Sequence, residues 1–275
     1  MSSPATLGRR RATASMLVRS ELRKIVSTRL WWGLLAGAVV YTVIQAGANA
    51  ALAGATPGAG QPATPGLDTA TAIRSVYAGS AFQGAYIFAM ILGITGMTGE
   101  YRYQTITPTF LATPRRARVV LAKLGAHLGV GVVYGLAALL GALVVGGAVI
   151  LVRGQGLGYG TDRLWSSALL GVLAVGLWTM LGIGIGTLVR NQVAAVLVAV
   201  FVTFLVEPLA TFILAANDLD EIVKWLPTNA STALTSPGTT LLEYLPWWAG
   251  GLVLLAYAAL LAGLGLLLST RRDIT

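Results

Sequence analysis

Cysteine is absent from this 275-residue chain, and histidine occurs once, at His127. Disulfide frameworks, thiolate metal sites and thiol nucleophiles are thereby excluded, and a lone imidazole does not make a metal site. Charge is scarce too: only 11% of residues are Asp, Glu, Lys or Arg, against about a quarter in ordinary soluble domains. The three lysines, Lys24, Lys123 and Lys224, follow Arg, Ala and Val. No Gly-Lys-Ser/Thr phosphate cradle exists, so any ATP that powers this protein binds another polypeptide. The apolar segments offer no convergent His, acid or metal set, so no catalytic residue and no resident cofactor are expected.

What the chain has in abundance is apolar sequence: 56% hydrophobic residues and a mean hydropathy of +0.76. A helix needs about 20 apolar residues to cross roughly 30 Å of hydrocarbon. Six windows meet that length, approximately Trp31 to Ala53, Tyr77 to Thr98, Leu124 to Val152, Trp165 to Val189, Val193 to Ala216 and Trp247 to Ser269. They are continuous runs of Leu, Ala, Val, Gly and Ile, not the short alternating segments of membrane strands, so an all-α integral membrane protein is expected.

The net charge of +9 is topological rather than a nucleic-acid footprint. With both termini placed in the cytoplasm, every Lys and Arg except Arg74, Arg153, Arg163 and Lys224 falls on the inner side, as the positive-inside rule requires. No nucleic-acid partner is expected. Ala48-Asn49-Ala50 looks like a signal-peptide cleavage site, but about 30 residues precede an apolar run too long for a signal peptide.

Two regions are expected: residues 1–30 as a cytoplasmic tail with an amphipathic helix, and residues 31–275 as a six-helix transmembrane domain. From Met16 to Leu30, Leu17, Val18, Leu22, Ile25, Val26 and Leu30 recur at helical spacing, with Arg19, Ser20, Arg23, Lys24 and Ser27 opposite. Such a helix lies in the inner interface with its cations toward anionic lipid headgroups, or else contacts a partner subunit. The outer loop from Gly54 to Val76 carries little pattern and reads as a flexible segment. The very short turn Arg190-Asn191-Gln192 makes the fourth and fifth spans antiparallel neighbours. From Asn217 to Pro246, apolar and polar residues alternate, which predicts short helices at the outer surface anchored by Trp225, Trp247 and Trp248.

Between the second and third spans lies Gly96 to Leu124, reading GMTGEYRYQTITPTFLATPRRARVVLAKL. Thr107-Pro108 and Thr113-Pro114 each set an N-cap side chain before a residue suited to the first helical turn. One short helix is expected near Pro108 to Ala112, across the cytoplasmic face. A second should begin at Pro114 and lead Arg115, Arg116, Arg118 and Lys123 into the third span. Glu100 is the acid at the entrance, placed to pair with Arg102 or a neighbouring arginine, or to pass motion to the span.

GEYR-x-x-T at Gly99 to Arg102 and Thr105, the LATPRRAR run from Leu111 to Arg118, and Lys123 opening the third span resemble the permease subunits of ABC-2 type ABC transporters, particularly actinobacterial ones. The basic N-terminal helix, the six spans and the Leu226-Pro227-Thr228-Asn229-Ala230 stretch extend the resemblance over nearly the whole chain. It implies a bacterial plasma-membrane subunit that pairs with a second permease, often an identical copy, and with two ATPase subunits that bind ATP and Mg. It also implies a coupling helix after the second span and re-entrant outer helices before the sixth. Contact with the ATPase is carried onto Glu100, Arg102, Thr105, Pro108, Phe110, Leu111, Pro114, Arg115, Arg116 and Arg118. The same arginines also hold topology and bind lipid headgroups.

Glu207-Pro208 lies inside the fifth span, where a carboxylate is costly unless paired, protonated or wet. It reads either as a substrate-path or gating acid, or as the end of a straight helix before re-entrant structure. His127 reads as an interfacial or packing residue. Gly125-x-x-x-Gly129, Gly131-x-x-x-Gly135 and Gly182-x-x-x-Gly186 read as packing seams. An ion-coupled secondary transporter and a membrane-embedded hydrolase are the rival functions. The first wants more intramembrane charge than Glu207 alone, and the second wants a catalytic set.

Overall fold

The computed structural model describes residues 14–55, 64–105, 116–235 and 245–272. Among these residues there are helices and no strands. Helix α1 spans Ala14–Ser27 and α2 spans Leu30–Leu52; α3 runs Ala70–Arg102, α4 Arg116–Val152, α5 Leu164–Leu188 and α6 Gln192–Ala215. Two short helices follow, α7 at Asp220–Val223 and α8 at Pro227–Thr235, and α9 closes the described chain at Trp247–Arg272. Six of these helices, α2 to α6 and α9, are long and apolar enough to cross a membrane, the pattern of a multi-pass membrane protein.

The helices overrun the hydropathy windows. Helix α3 starts at Ala70, not Tyr77, because Thr69 accepts a hydrogen bond from the Ala72 amide and caps it, so part of the expected loop is helical. Helix α4 is in place from Arg116, well before Leu124. Hydropathy marks the hydrocarbon-crossing part of a helix, whereas backbone hydrogen bonding continues into polar sequence.

Helices α3 and α5 form the centre. Some 67% and 72% of their apolar windows are buried by protein, against 22% for α2 and α6 and 28% for α9. Glycine makes the close approach of the central pair possible. A Cβ on Gly93 would stand 2.1 Å from the Thr179 carbonyl oxygen, and one on Gly182 would stand 2.1 Å from that of Met90. Gly186 packs on Ile94, while Gly131 and Gly135 receive Thr179, Gly176 and Val172. Two of the three expected seams are therefore real. Gly125 and Gly129 face open space and pack against nothing among the described residues.

Helix α6 departs from the regular ladder at Pro208, which lacks an N–H. The Glu207 amide donates to the Val202 carbonyl five residues back, widening one turn into a π-turn at Val202–Val206. Its partner on the bundle is α3, with Phe204 beside Tyr86 at 6.4 Å between ring centroids.

Contacts between loops define one end of the bundle. The Arg153 guanidinium donates to the carbonyls of Ala50 and Ala53, both at 2.8 Å, closing the end of α2. The Tyr77 hydroxyl donates to the Leu157 carbonyl at 3.0 Å. The opposite end carries α1.

Candidate functional site

Helix α1 lies against the bundle with an acid in the middle of its apolar face. Glu21 is one helical turn from Leu17, Val18 and Ile25, and only 3% of it is exposed. The α4 residue it meets is Lys123, itself 2% exposed, whose Nζ donates to Glu21 Oε2 at 2.5 Å. The same ammonium donates to Glu100 Oε1 at 3.0 Å and to the Gly96 carbonyl at 3.3 Å, so its three protons each have an acceptor. Lys24 completes the cluster from α1, reaching Glu21 Oε1 at 2.6 Å and Glu100 Oε1 at 2.8 Å.

Two ammoniums and two carboxylates therefore meet where α1, the end of α3 and the start of α4 converge. Burial opposes the charge on Glu21, but Lys123 and Lys24 outweigh it and hold the carboxyl below its ordinary range. Burial likewise opposes the charge on Lys24, and Glu100 with Glu21 reverses the effect and raises its pKa. Both groups stay charged at neutral pH.

The amphipathic face read from sequence is largely kept, with Leu17, Val18, Leu22 and Ile25 buried or part-buried. Glu21 is buried within it, and Val26 and Leu30 are left exposed, at 57% and 45%. A helix lying free on lipid would hold its acid toward water. Here Lys123 supplies a buried partner, and α1 docks on protein. Arg19 and Arg23 remain exposed on its outer side.

Among the described residues Glu100 pairs with Lys24 and Lys123 and with no arginine. Arg102 is exposed, with its guanidinium 5.7 Å from the Tyr103 ring. The Thr105 amide donates to the Glu100 carbonyl at 3.0 Å, and Gln104 takes the left-handed conformation (φ 53°) as the chain turns out of α3. Arg118 is exposed on the first turn of α4, and Arg116 begins that helix. Pro108, Phe110, Leu111, Pro114 and Arg115, with the expected Pro108 to Ala112 helix, lie outside the described residues.

His127 is one turn beyond Lys123 and fully enclosed, 1% exposed, so it is a packing residue and not an interfacial one. Its Nδ1 lies 2.9 Å from the Lys123 carbonyl, an acceptor only, so Nδ1 carries the proton. Nε2 lies against Gly96 without a hydrogen-bond partner among the described residues.

Glu207 belongs to a second polar group, away from the ion cluster. It is 6% exposed and accepts from the backbone amide of Thr228, in the first turn of α8. A carboxylate there satisfies an otherwise orphaned N–H and faces the positive end of the helix. Asn229 Nδ2 donates to Thr211 Oγ1 and to the Val223 carbonyl, both at 3.0 Å, and Trp178 Nε1 donates to Ser231 Oγ at 2.8 Å. Helix α8 is therefore buried between spans instead of lying on the outer surface. Its Ala230 carbonyl sits so close to Gly250 that a Cβ there would approach to 2.4 Å. Trp225, Trp247 and Trp248 remain at least half exposed, as anchors would be.

Sequence reading passed over Glu21 and Trp178, and took Asn229 only as part of the stretch before the last span. Glu21 had a usable signal: it is the first acid of the chain, with none following until Asp68, and it interrupts an apolar stripe. Nothing in the sequence pairs Trp178 with Ser231, 53 residues away. Among the described residues no group of three or more His, Asp or Glu side chains is disposed to hold a metal. The ion cluster ties three elements together by charge.

No protein-family model matches this chain, and no curated protein matches it.

Proposed function

We propose that this chain is the membrane-spanning permease subunit of an ABC-2 type transporter, an exporter driven by ATP that binds with Mg on two separate ATPase subunits. A second permease, identical or homologous, completes the assembly in the bacterial plasma membrane, with both termini in the cytoplasm. Glu100, Arg102, Thr105 and the segment from Pro108 to Arg118 form the contact through which ATPase movement reaches the spans.

The observation that carries this reading is the ion cluster. Three sequence features of the resemblance, the basic amphipathic helix, the acid of GEYR and the lysine opening the third span, meet within hydrogen-bond distance as Lys24, Glu100 and Lys123. The two ends of the intervening loop are thereby held together, so force applied to it acts on both spans and on α1 at once. The capping role of Glu207 further supports a bundle that needs no intramembrane ion-coupling acid.

A neighbouring reading frame encoding a soluble protein with Gly-x-x-x-x-Gly-Lys-Ser/Thr is the expected partner. Co-expression should give a complex that survives purification in detergent and in nanodiscs and hydrolyses ATP. Absence of association in both would overturn the reading. With assembly intact, replacing Arg115 and Arg116 together by Gln should uncouple ATP hydrolysis from transport, and unchanged coupling would remove those two arginines from the contact.

A further inference from the structure

The cluster divides along α1 without stranding a charge. Glu21 and Lys24 are a salt bridge within α1, at 2.6 Å. Glu100 and Lys123 are a salt bridge between α3 and α4, at 3.0 Å. Docking adds the cross-pairs Lys123–Glu21 at 2.5 Å and Lys24–Glu100 at 2.8 Å. Splitting an ordinary buried ion pair leaves an uncompensated charge in a poorly solvated site, which makes separation steeply unfavourable. Here each half keeps one cation and one anion.

We infer that α1 is a reversible latch, with a docked state and an undocked state, rather than a fixed anchor. Three further features fit that role. Lys24 is 45% exposed, so water reaches the cluster from its outer edge. The apolar contact beneath α1 is modest: Ile25 is buried, Val18 and Leu22 only partly so. Thr28 and Arg29 break the helix before α2, and the Thr28 amide donates back to Ile25, so α1 and α2 are separate rods joined by a short hinge. In the undocked state Lys123 falls back on Glu100, Glu21 and Lys24 hold each other in water, and the loop after α3 loses its tie to the N-terminal helix. The latch is a property of this chain alone and does not rest on the transporter reading.

A latch opens on its own and a fixed anchor does not, and each cross-pair slows the opening. Glu21→Gln removes the bond from α1 to Lys123 and leaves the Glu100–Lys123 pair whole, so undocking becomes easier. Glu100→Gln removes the other cross-pair, to Lys24, and also eases undocking. Its effect is the smaller one, because Lys24 is partly in water and because undocking then leaves Lys123 with no carboxylate.

The test uses the absence of cysteine. Ile25→Cys, at a site only 7% exposed, is introduced into the full chain in nanodiscs without any partner, and its labelling by a fluorescent maleimide is timed. Met16→Cys, at an exposed site, serves as the fast control. The expected result is slow but complete labelling of the thiol at position 25, about tenfold or more faster with Glu21→Gln and less accelerated with Glu100→Gln. Acceleration by Glu100→Gln as large as that by Glu21→Gln overturns the latch. If Glu100→Gln does not fold, the other two measurements still decide. A thiol at position 25 that stays unlabelled while Met16→Cys reacts, or a Glu21→Gln variant no faster than its parent, overturns it equally.

Discussion

Gly182→Ala tests whether the bundle is organised around the α3–α5 seam. The added Cβ would lie 2.1 Å from the Met90 carbonyl oxygen, and ordinary contact begins near 3.4 Å. The two backbones must therefore part by about 1.3 Å. The obstacle is backbone, and Gly93 clamps the same seam from the other helix against Thr179, so no side-chain rotation relieves the clash. Overpacking of this kind costs about 1–3 kcal/mol, offset by up to about 1 kcal/mol because Ala favours helix over Gly. Gly129→Ala supplies the control. It makes the same chemical change in a helix facing open space, so only the favourable propensity term remains. The assay is the temperature at which the monodisperse peak of detergent-solubilised protein is lost on gel filtration. Gly182→Ala should melt several degrees below the wild type and Gly129→Ala at or above it. Equal melting of the two variants would refute the seam.

Three other outcomes follow from the polar groups. Lys123→Met should destabilise the chain by about 3–5 kcal/mol, because Glu21 and Glu100 would share Lys24 alone, and adding Glu100→Gln should restore much of the loss; a double variant no better than the single one would show that the charges are not coupled. Glu207→Ala should cost about 1–2 kcal/mol by uncapping α8, whereas Glu207→Gln keeps an acceptor for the Thr228 amide and should melt close to wild type; equal melting of the two would remove the cap. Protection of α1 amides from hydrogen exchange, corrected for intrinsic rates, should be flat between pH 4.5 and 10.5. Glu21 titrates below 4.5 when folded, so its contribution is whole above that value and is lost as pH falls through the lower folded value; Lys24 titrates above 10.5, so its share is whole below and is lost as pH rises through the raised value. Loss of protection as pH falls from 7 toward 4.5 would contradict the Glu21 shift, and loss as pH rises from 7 toward 10.5 would contradict the Lys24 shift.

The spans were legible in the chain because a run of about 20 apolar residues has few ways to be satisfied other than as a buried or membrane helix. Their ranking was not. Val193 to Ala216 is as apolar as Trp165 to Val189, yet the first is mostly uncovered by protein and the second is the centre of the bundle. Hydropathy does not distinguish lipid from protein as the surrounding medium. Gly125-x-x-x-Gly129 and Gly182-x-x-x-Gly186 are likewise the same pattern, and only the facing helix separates the idle pair from the seam.

The candidate site was half legible. Glu100 was recognisable because an acid at a span end runs against the cationic bias of that side, but its partners were read as arginines. Among the described residues, lysines 76 positions before it and 23 after it hold it. Glu207 was recognisable as a buried acid, and its two readings differed only in whether something else would meet it. Thr228 does.

The sequence by itself determined that this is a helical, multi-span chain with no cysteine chemistry and no P-loop, because composition and the length of apolar runs settle those points locally. Tertiary structure alone decided which charges neutralise one another. Glu21, Lys24, Glu100 and Lys123 are spread over 102 positions between Glu21 and Lys123. A buried charge is tolerated only beside its opposite, and that proximity exists only once α1, α3 and α4 are assembled.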